Sequence, residues 1–309
     1  MASIWDDFKN TFRTRNNELV QIIVINVVVF LVFAVLFVTM KLSGLDNIYL
    51  EIIQKFKILA SLPDLALQPW SLFTYSFLHT DPFHILFNML FLFWFGRLIE
   101  EYIGGSRVTN LYILGGLAGG ILYITLFNFI PYFKGNVAAS TMMGASGSVY
   151  AIVFGAATLL PDYTFRILFL GDVKIKYIAL FYLVVSFIQI GGINAGGNIS
   201  HIGGALMGYG YIKALQSGTD MGTWIQAILN FFKGIFRTPP PKKTIRKTSF
   251  SEATVKKSSS KMQQSSSPDP SAVGQDEIDT ILDKISKSGY ESLSKEEKIK
   301  LYKASQQND

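Results

Sequence analysis

The chain has 309 residues, half of them hydrophobic, with 25 Phe, 16% charged residues and a net charge of +6. Runs near the 20 apolar residues that cross about 30 Å of hydrocarbon recur through the first two-thirds, which excludes an ordinary soluble domain. Cysteine is absent, so disulfides and thiolate metal sites are excluded as well.

Residues 1–18 are polar and mixed in charge, unlike a cleavable signal peptide, and are read as a cytoplasmic N-terminus. The first span covers Leu19–Met40, and its segment Ile22–Val38 holds no charge and one amide, Asn26. Residues 41–80 mix amphipathic stretches with Pro63, Pro69 and several charges, and predict a long first loop that does not cross. Further spans are predicted at about Phe83–Leu98, Val108–Ile130 (ended by Pro131), Ser146–Leu160 (before Pro161), Ile175–Ile190 and His201–Ala214, the last after a Gly/Asn break at Gly191–Asn198. Lys and Arg concentrate on the side that holds Arg13, Arg97, Arg107 and Lys174, so both termini are expected in the cytoplasm, and six spans satisfy that parity.

Beyond the membrane domain of residues 19–217, the segment 218–237 predicts a short interfacial amphipathic helix. Residues 238–274 form a basic, Ser/Pro-rich stretch that reads as a disordered linker drawn to anionic headgroups, with no nucleic-acid signature. Residues 275–309 regain helical periodicity, with Ile278, Ile281, Leu282 and Ile285 on one face. Ser294 and Glu297 make a capping box for a second helix, so a two-helix hairpin able to dock on a protein partner is expected. The fold class is thus an all-α membrane protein, a six-helix bundle with a long first loop and a cytoplasmic tail.

Polar side chains inside spans are costly in hydrocarbon, which makes each a functional candidate. His79 and His84 flank the start of the second span with Asn88 one turn further in, Ser146 opens the fourth, and His201 opens the sixth. These three spans run in the same direction, so their starts converge at one depth near the outer face. Ser146 lies in Gly144-Ala145-Ser146-Gly147 at a first helical turn, where free backbone N–H groups can meet an oxyanion. Small residues recur every fourth position at Gly147, Ala151 and Gly155, and again at Ser200, Gly204 and Gly208, which allows the two helices to touch and brings Ser146 to His201. No Asp or Glu lies in either span, so a Ser146–His201 dyad is the economical catalytic reading. Asn88 and His84, four residues apart on one face, supply side-chain donors for the oxyanion, and Tyr150 packs against the His201 ring. For His79, a hydrogen bond tying the loop to the second span is the simpler role.

Together, Phe77-Leu78-His79-Thr80-Asp81-Pro82-Phe83-His84-Ile85-Leu86-Phe87-Asn88, Gly144-Ala145-Ser146-Gly147 with Tyr150, and His201-Ile202-Gly203-Gly204 with Gly208 resemble the rhomboid intramembrane serine proteases over roughly residues 66–214. The resemblance implies a six-span protease of bacterial type in the inner or plasma membrane. Its nucleophile matches Ser146, its base His201, its oxyanion donors His84 and Asn88, and its ring-stacking tyrosine Tyr150. It needs no cofactor or metal and cuts transmembrane segments of other proteins. The Trp-Arg pair of many relatives is not evident; Pro69-Trp70 is the nearest feature. Two competing readings are a metal protein using His79, His84 and His201, and a transporter or inactive scaffold with a polar pocket.

Overall fold

The computed structural model describes residues 17–167 and 171–235, with short stretches between 279 and 297. The chain divides into two units, Met1–Pro240 and Pro241–Asp309. The first unit is mostly helical. Helix α1, Glu18–Leu42, carries Glu18 in its first turn and Lys41 in its last, the charge order that suits the helix dipole. It is followed by α2, Asp46–Gln54, and α3, Leu62–Leu67, within the predicted loop. Helix α4, Pro82–Ile103, starts with Pro at its first position and with the Asp81 carboxylate accepting from the His84 N–H at 2.7 Å, and it stops at Gly104, whose φ of 91° ends the helical geometry. Helix α5, Gly105–Phe129, follows at once and ends before Pro131. Then come α6, Ser146–Leu159, α7, Ile175–Ile188, α8, Ala195–Gln216, and α9, Thr223–Ile235. By length and composition α1, α4 and α5 are able to cross a membrane, while α6 and the stretch Ile175–Gly191 are shorter apolar helices.

Two expectations need correction. The unit is not purely helical: Ile58–Leu59 pairs antiparallel with Thr141–Met142, and Thr164–Ile167 pairs with Gly171–Lys174 in a hairpin between α6 and α7. Nor does His201 open its helix, because α8 begins six residues earlier at Ala195. The Gly/Asn run was read as a break, yet Gly196 lies against the Tyr123 ring where a side chain would clash, and Asn198 donates to the carbonyls of Gln189 and Asn194 at 3.0 Å each. Close packing and a side-chain hydrogen bond therefore hold in helical form a stretch that is weak in propensity.

The interior is built from α5, α6 and α8, whose backbones touch. A Cβ on Gly204 would overlap the carbonyl oxygen of Gly147, and one on Gly208 would overlap that of Ala151, so the two predicted small-residue stripes do face each other. A third stripe completes the trio. Gly115 packs on Ala151, Gly116 on Ser148 and Gly119 on Ser200, all from α5. The first helix is tied in by a buried polar link: the Asn26 amide donates to the Tyr112 hydroxyl at 2.9 Å, and that hydroxyl donates to the Ser76 carbonyl at 2.7 Å.

In the second unit the capping box is formed in both directions. The Ser294 N–H donates to the Glu297 carboxylate at 2.7 Å, and the Glu297 N–H donates to the Ser294 hydroxyl at 3.2 Å. Lys284 pairs with Glu297 at 2.9 Å. The predicted linker 238–274, residues 1–16, and most of the predicted hairpin, including Ile278, Leu282 and Ile285, lie outside the described residues.

Candidate active site

A cavity of about 660 Å³ opens among the first turns of α4, α6 and α8, and its walls include His84, Asn88, Ser146, Tyr150 and His201. Four of the predicted groups thus reach it from the three helices expected to converge, and Tyr150 lies one turn further along α6. Apolar walls come from Phe83, Phe87 and Phe91 of α4, with Met142 and Met143 before the serine.

Ser146 is the first residue of α6, and the segment ahead of it is fixed by three contacts. Gly144 has a φ of 126°, a region that suits glycine alone, and a Cβ there would come within 2.8 Å of the His84 ring. Its N–H donates to the Tyr75 carbonyl at 2.9 Å. The next N–H, of Ala145, donates to His79 Nε2 at 3.3 Å. Two glycines thus have different duties: Gly144 admits the turn and the imidazole, whereas Gly147 admits α8, meeting Ser200 and the backbone of Gly204.

His79 is buried, and its ring lies 5.1 Å from that of His84 in an edge-to-face arrangement. Besides accepting from Ala145, its Nε2 faces the Asn88 amide at 3.4 Å. It therefore joins the loop to both α4 and the turn before Ser146 and stays behind the cavity wall. The Asn88 amide also donates to the His84 carbonyl at 2.9 Å. Of these two bonds the one to His79 is the longer and so the weaker, and it is the one more readily exchanged for a ligand.

His201 sits in the second turn of α8, with its ring stacked on Tyr150 at 4.1 Å between centroids and 9° between planes. Its Nδ1 lies 3.0 Å from the hydroxyl of Ser186 on α7. Ser186 was not singled out from the sequence. The signal was present, because within the apolar stretch Ala179–Ile188 it is the one aliphatic hydroxyl, and polar groups at such positions call for a partner.

The first unit is thus a helical bundle with membrane-crossing helices and a serine, two histidines and an asparagine around one interior cavity. A Rhomboid domain model matches residues 66–217, the region that contains every one of these groups. Among curated proteins, RHOMBOID-like protein 1 of Arabidopsis thaliana is 30% identical over 142 residues, covering 45% of this chain and 33% of the relative. RHOMBOID-like protein 2 of the same plant is 31% identical over 143 residues, covering 46% and 41%. Rhomboid protease GlpG of Salmonella typhi is 25% identical over 126 residues, covering 41% and 40%. The match thus spans less than half the length of these relatives. The chain belongs to the rhomboid family and is an integral membrane protein. A second model, that of a family of unknown function (DUF6576), matches residues 272–307.

Proposed function

We propose that the protein is an intramembrane serine endopeptidase that hydrolyses peptide bonds in or near transmembrane segments of other membrane proteins. One observation carries the reading: Ser146 and His201 line the same interior cavity from different helices, with the imidazole held by Tyr150 four residues after the serine. In this reading His201 Nε2 takes the Ser146 hydroxyl proton while the oxygen bonds to the scissile carbonyl carbon. The oxyanion is met by the Ser146 N–H, which has no intrahelical partner, and by donors from Asn88 and His84. Collapse breaks the C–N bond, and the proton on Nε2 passes to the leaving amine. Water then repeats the sequence on the acyl-enzyme, giving its proton to Nε2 and its oxygen to the carbonyl, and Ser146 is restored. Gly144 and His79 support this set by shaping the turn that presents the serine, and Gly147 supports it by admitting α8 beside that turn.

In the same reading α1, α4, α5, α6, α7 and α8 are six spans with both termini cytoplasmic and the cavity towards the outer face, as the Lys/Arg bias supports. Helix α9 lies in the interface, where the exposed Trp224, Ile228, Phe231 and Phe232 meet lipid. The segment 275–309, whose sequence reads as a helical hairpin, takes a protein partner. The test is purified full chain with a generic transmembrane substrate, with wild type compared against Ser146→Ala and His201→Ala. Cleavage by wild type alone is expected, with a fall of at least about 10⁴-fold in either variant. Equal cleavage by Ser146→Ala, or none by wild type while a serine-directed fluorophosphonate leaves Ser146 unlabelled, points to the scaffold or transporter instead. Loss of activity on adding a chelator points to the metal protein.

A further inference from the structure

A polar group beside His201 is not used by the dyad. Ser186 is buried, and it lies on α7, a helix otherwise packed through few of its side chains. Its hydroxyl has two neighbours, His201 Nδ1 at 3.0 Å and the Tyr150 hydroxyl at 2.8 Å. The Tyr150 hydroxyl in turn reaches the Tyr182 carbonyl at 3.4 Å.

Counting protons along this chain leaves one arrangement that wastes none. A backbone carbonyl only accepts, so Tyr150 donates to Tyr182. The tyrosine oxygen then accepts, so Ser186 donates to Tyr150. The serine oxygen then accepts, so His201 Nδ1 carries a proton and donates to Ser186. A neutral imidazole has one N–H, which leaves Nε2 bare, the state that a base needs towards a serine.

We propose that Ser186 is a positioning residue for His201: with the Tyr150 hydroxyl it forms a three-step donor chain that fixes the Nδ1-protonated tautomer and holds Nε2 ready to accept. The inference rests on the dyad reading and extends it, since Ser186 does the orienting work that a carboxylate does in a three-residue site. It also gives Tyr150 two separate roles, with its ring stacked on the imidazole and its hydroxyl closing the chain.

The test compares two substitutions of equal volume in the full chain, Ser186→Thr and Ser186→Val, which differ by a hydroxyl against a methyl. Thr is expected to keep kcat within about threefold of wild type. Val is expected to lose roughly tenfold to hundredfold in kcat, the scale of one oriented hydrogen bond, with KM within about twofold. A merely structural role for Ser186 lowers both variants alike or alters KM as well. The second readout needs no proteolysis. In ¹⁵N-histidine-labelled protein carrying Ser146→Ala, with His201 assigned by its loss in His201→Ala, the His201 proton is expected on Nδ1 and is expected to shift at least partly to Nε2 when Ser186→Val is added. Equal kcat for Thr and Val, or an Nε2-protonated His201 with Ser186 intact, overturns the proposal. Should wild type fail to cleave, the endopeptidase reading falls while the spectrum still decides whether Ser186 sets the tautomer.

Discussion

Helices α5, α6 and α8 on one side and helix α7 on the other pack on opposite terms. In the first three, glycines bring backbone against backbone, so Gly204 and Gly208 of α8 lie on carbonyl oxygens of α6 and no side chain separates them. Helix α7 buries only Ile175, Ala179 and Ser186, and turns Leu180, Phe181, Val184, Phe187 and Ile188 outwards. Where backbone meets backbone there is no rotamer to adjust; where apolar side chains are exposed there is ample room. The sharpest way to break the contrast is to change side-chain bulk on each. Gly208→Leu forces α6 and α8 apart along their whole contact, and a cost above the roughly 1–3 kcal/mol of ordinary overpacking is expected, enough that no folded protein is recovered in detergent. Phe181→Ala on α7, where the ring is 63% exposed, is expected within about 0.5 kcal/mol of wild type by thermal unfolding. Recovery of well-folded Gly208→Leu would mean that the trio is not the rigid frame.

Helix α1 stands between these extremes. It is largely exposed but anchored by the buried Asn26, whose amide meets the Tyr112 hydroxyl of α5. Tyr112→Phe keeps the ring, which packs against Phe77, but takes the hydroxyl from the Ser76 carbonyl and leaves the Asn26 amide donating to the Ile22 carbonyl alone. A loss of about 1–3 kcal/mol in unfolding free energy is expected. The double variant with Asn26→Leu should recover part of it, because an apolar replacement of both partners leaves less polar surface stranded. Strict additivity of the two substitutions would show that the link contributes nothing.

These differences also mark what was readable from the chain. The stripes on α6 and α8 and the capping box at Ser294 follow from spacing, because helical periodicity turns sequence separation into a shared face, and the convergence of Ser146, His84, Asn88 and His201 follows from three spans expected to run in one direction. Three features did not follow. The third stripe on α5 was hidden because a glycine-rich apolar run looks the same whether it faces protein or lipid. The early start of α8 was hidden because Gly196, Gly197 and Asn198 have poor helix propensity, and only the Tyr123 ring and the carbonyls of Gln189 and Asn194 offset it. Ser186 was overlooked because a lone serine in a span usually bonds its own helix, and nothing local reveals that its partner stands fifteen residues later.

The entry to α7 offers the mildest test of how loosely that helix is held. Before it, Asp162 accepts from Lys174 at 2.9 Å across the hairpin and from Lys176, in the first turn of α7, at 2.8 Å. The two ammonium groups, Lys176 foremost, hold the Asp162 carboxyl down to about 2 from an ordinary value of 3.8. The folded chain therefore binds fewer protons there than the unfolded chain, so the contribution is complete above about pH 3.8 and disappears as pH falls through 2. Exposed ion pairs hold little at neutral pH and less in salt. Asp162→Asn should accordingly lower Tm by about 2 °C or less at pH 7, by still less in 1 M salt, and not at all at pH 2. A drop beyond about 5 °C at pH 7 would mean that the start of α7 is clamped, and that its freedom, if any, begins only beyond Ala179.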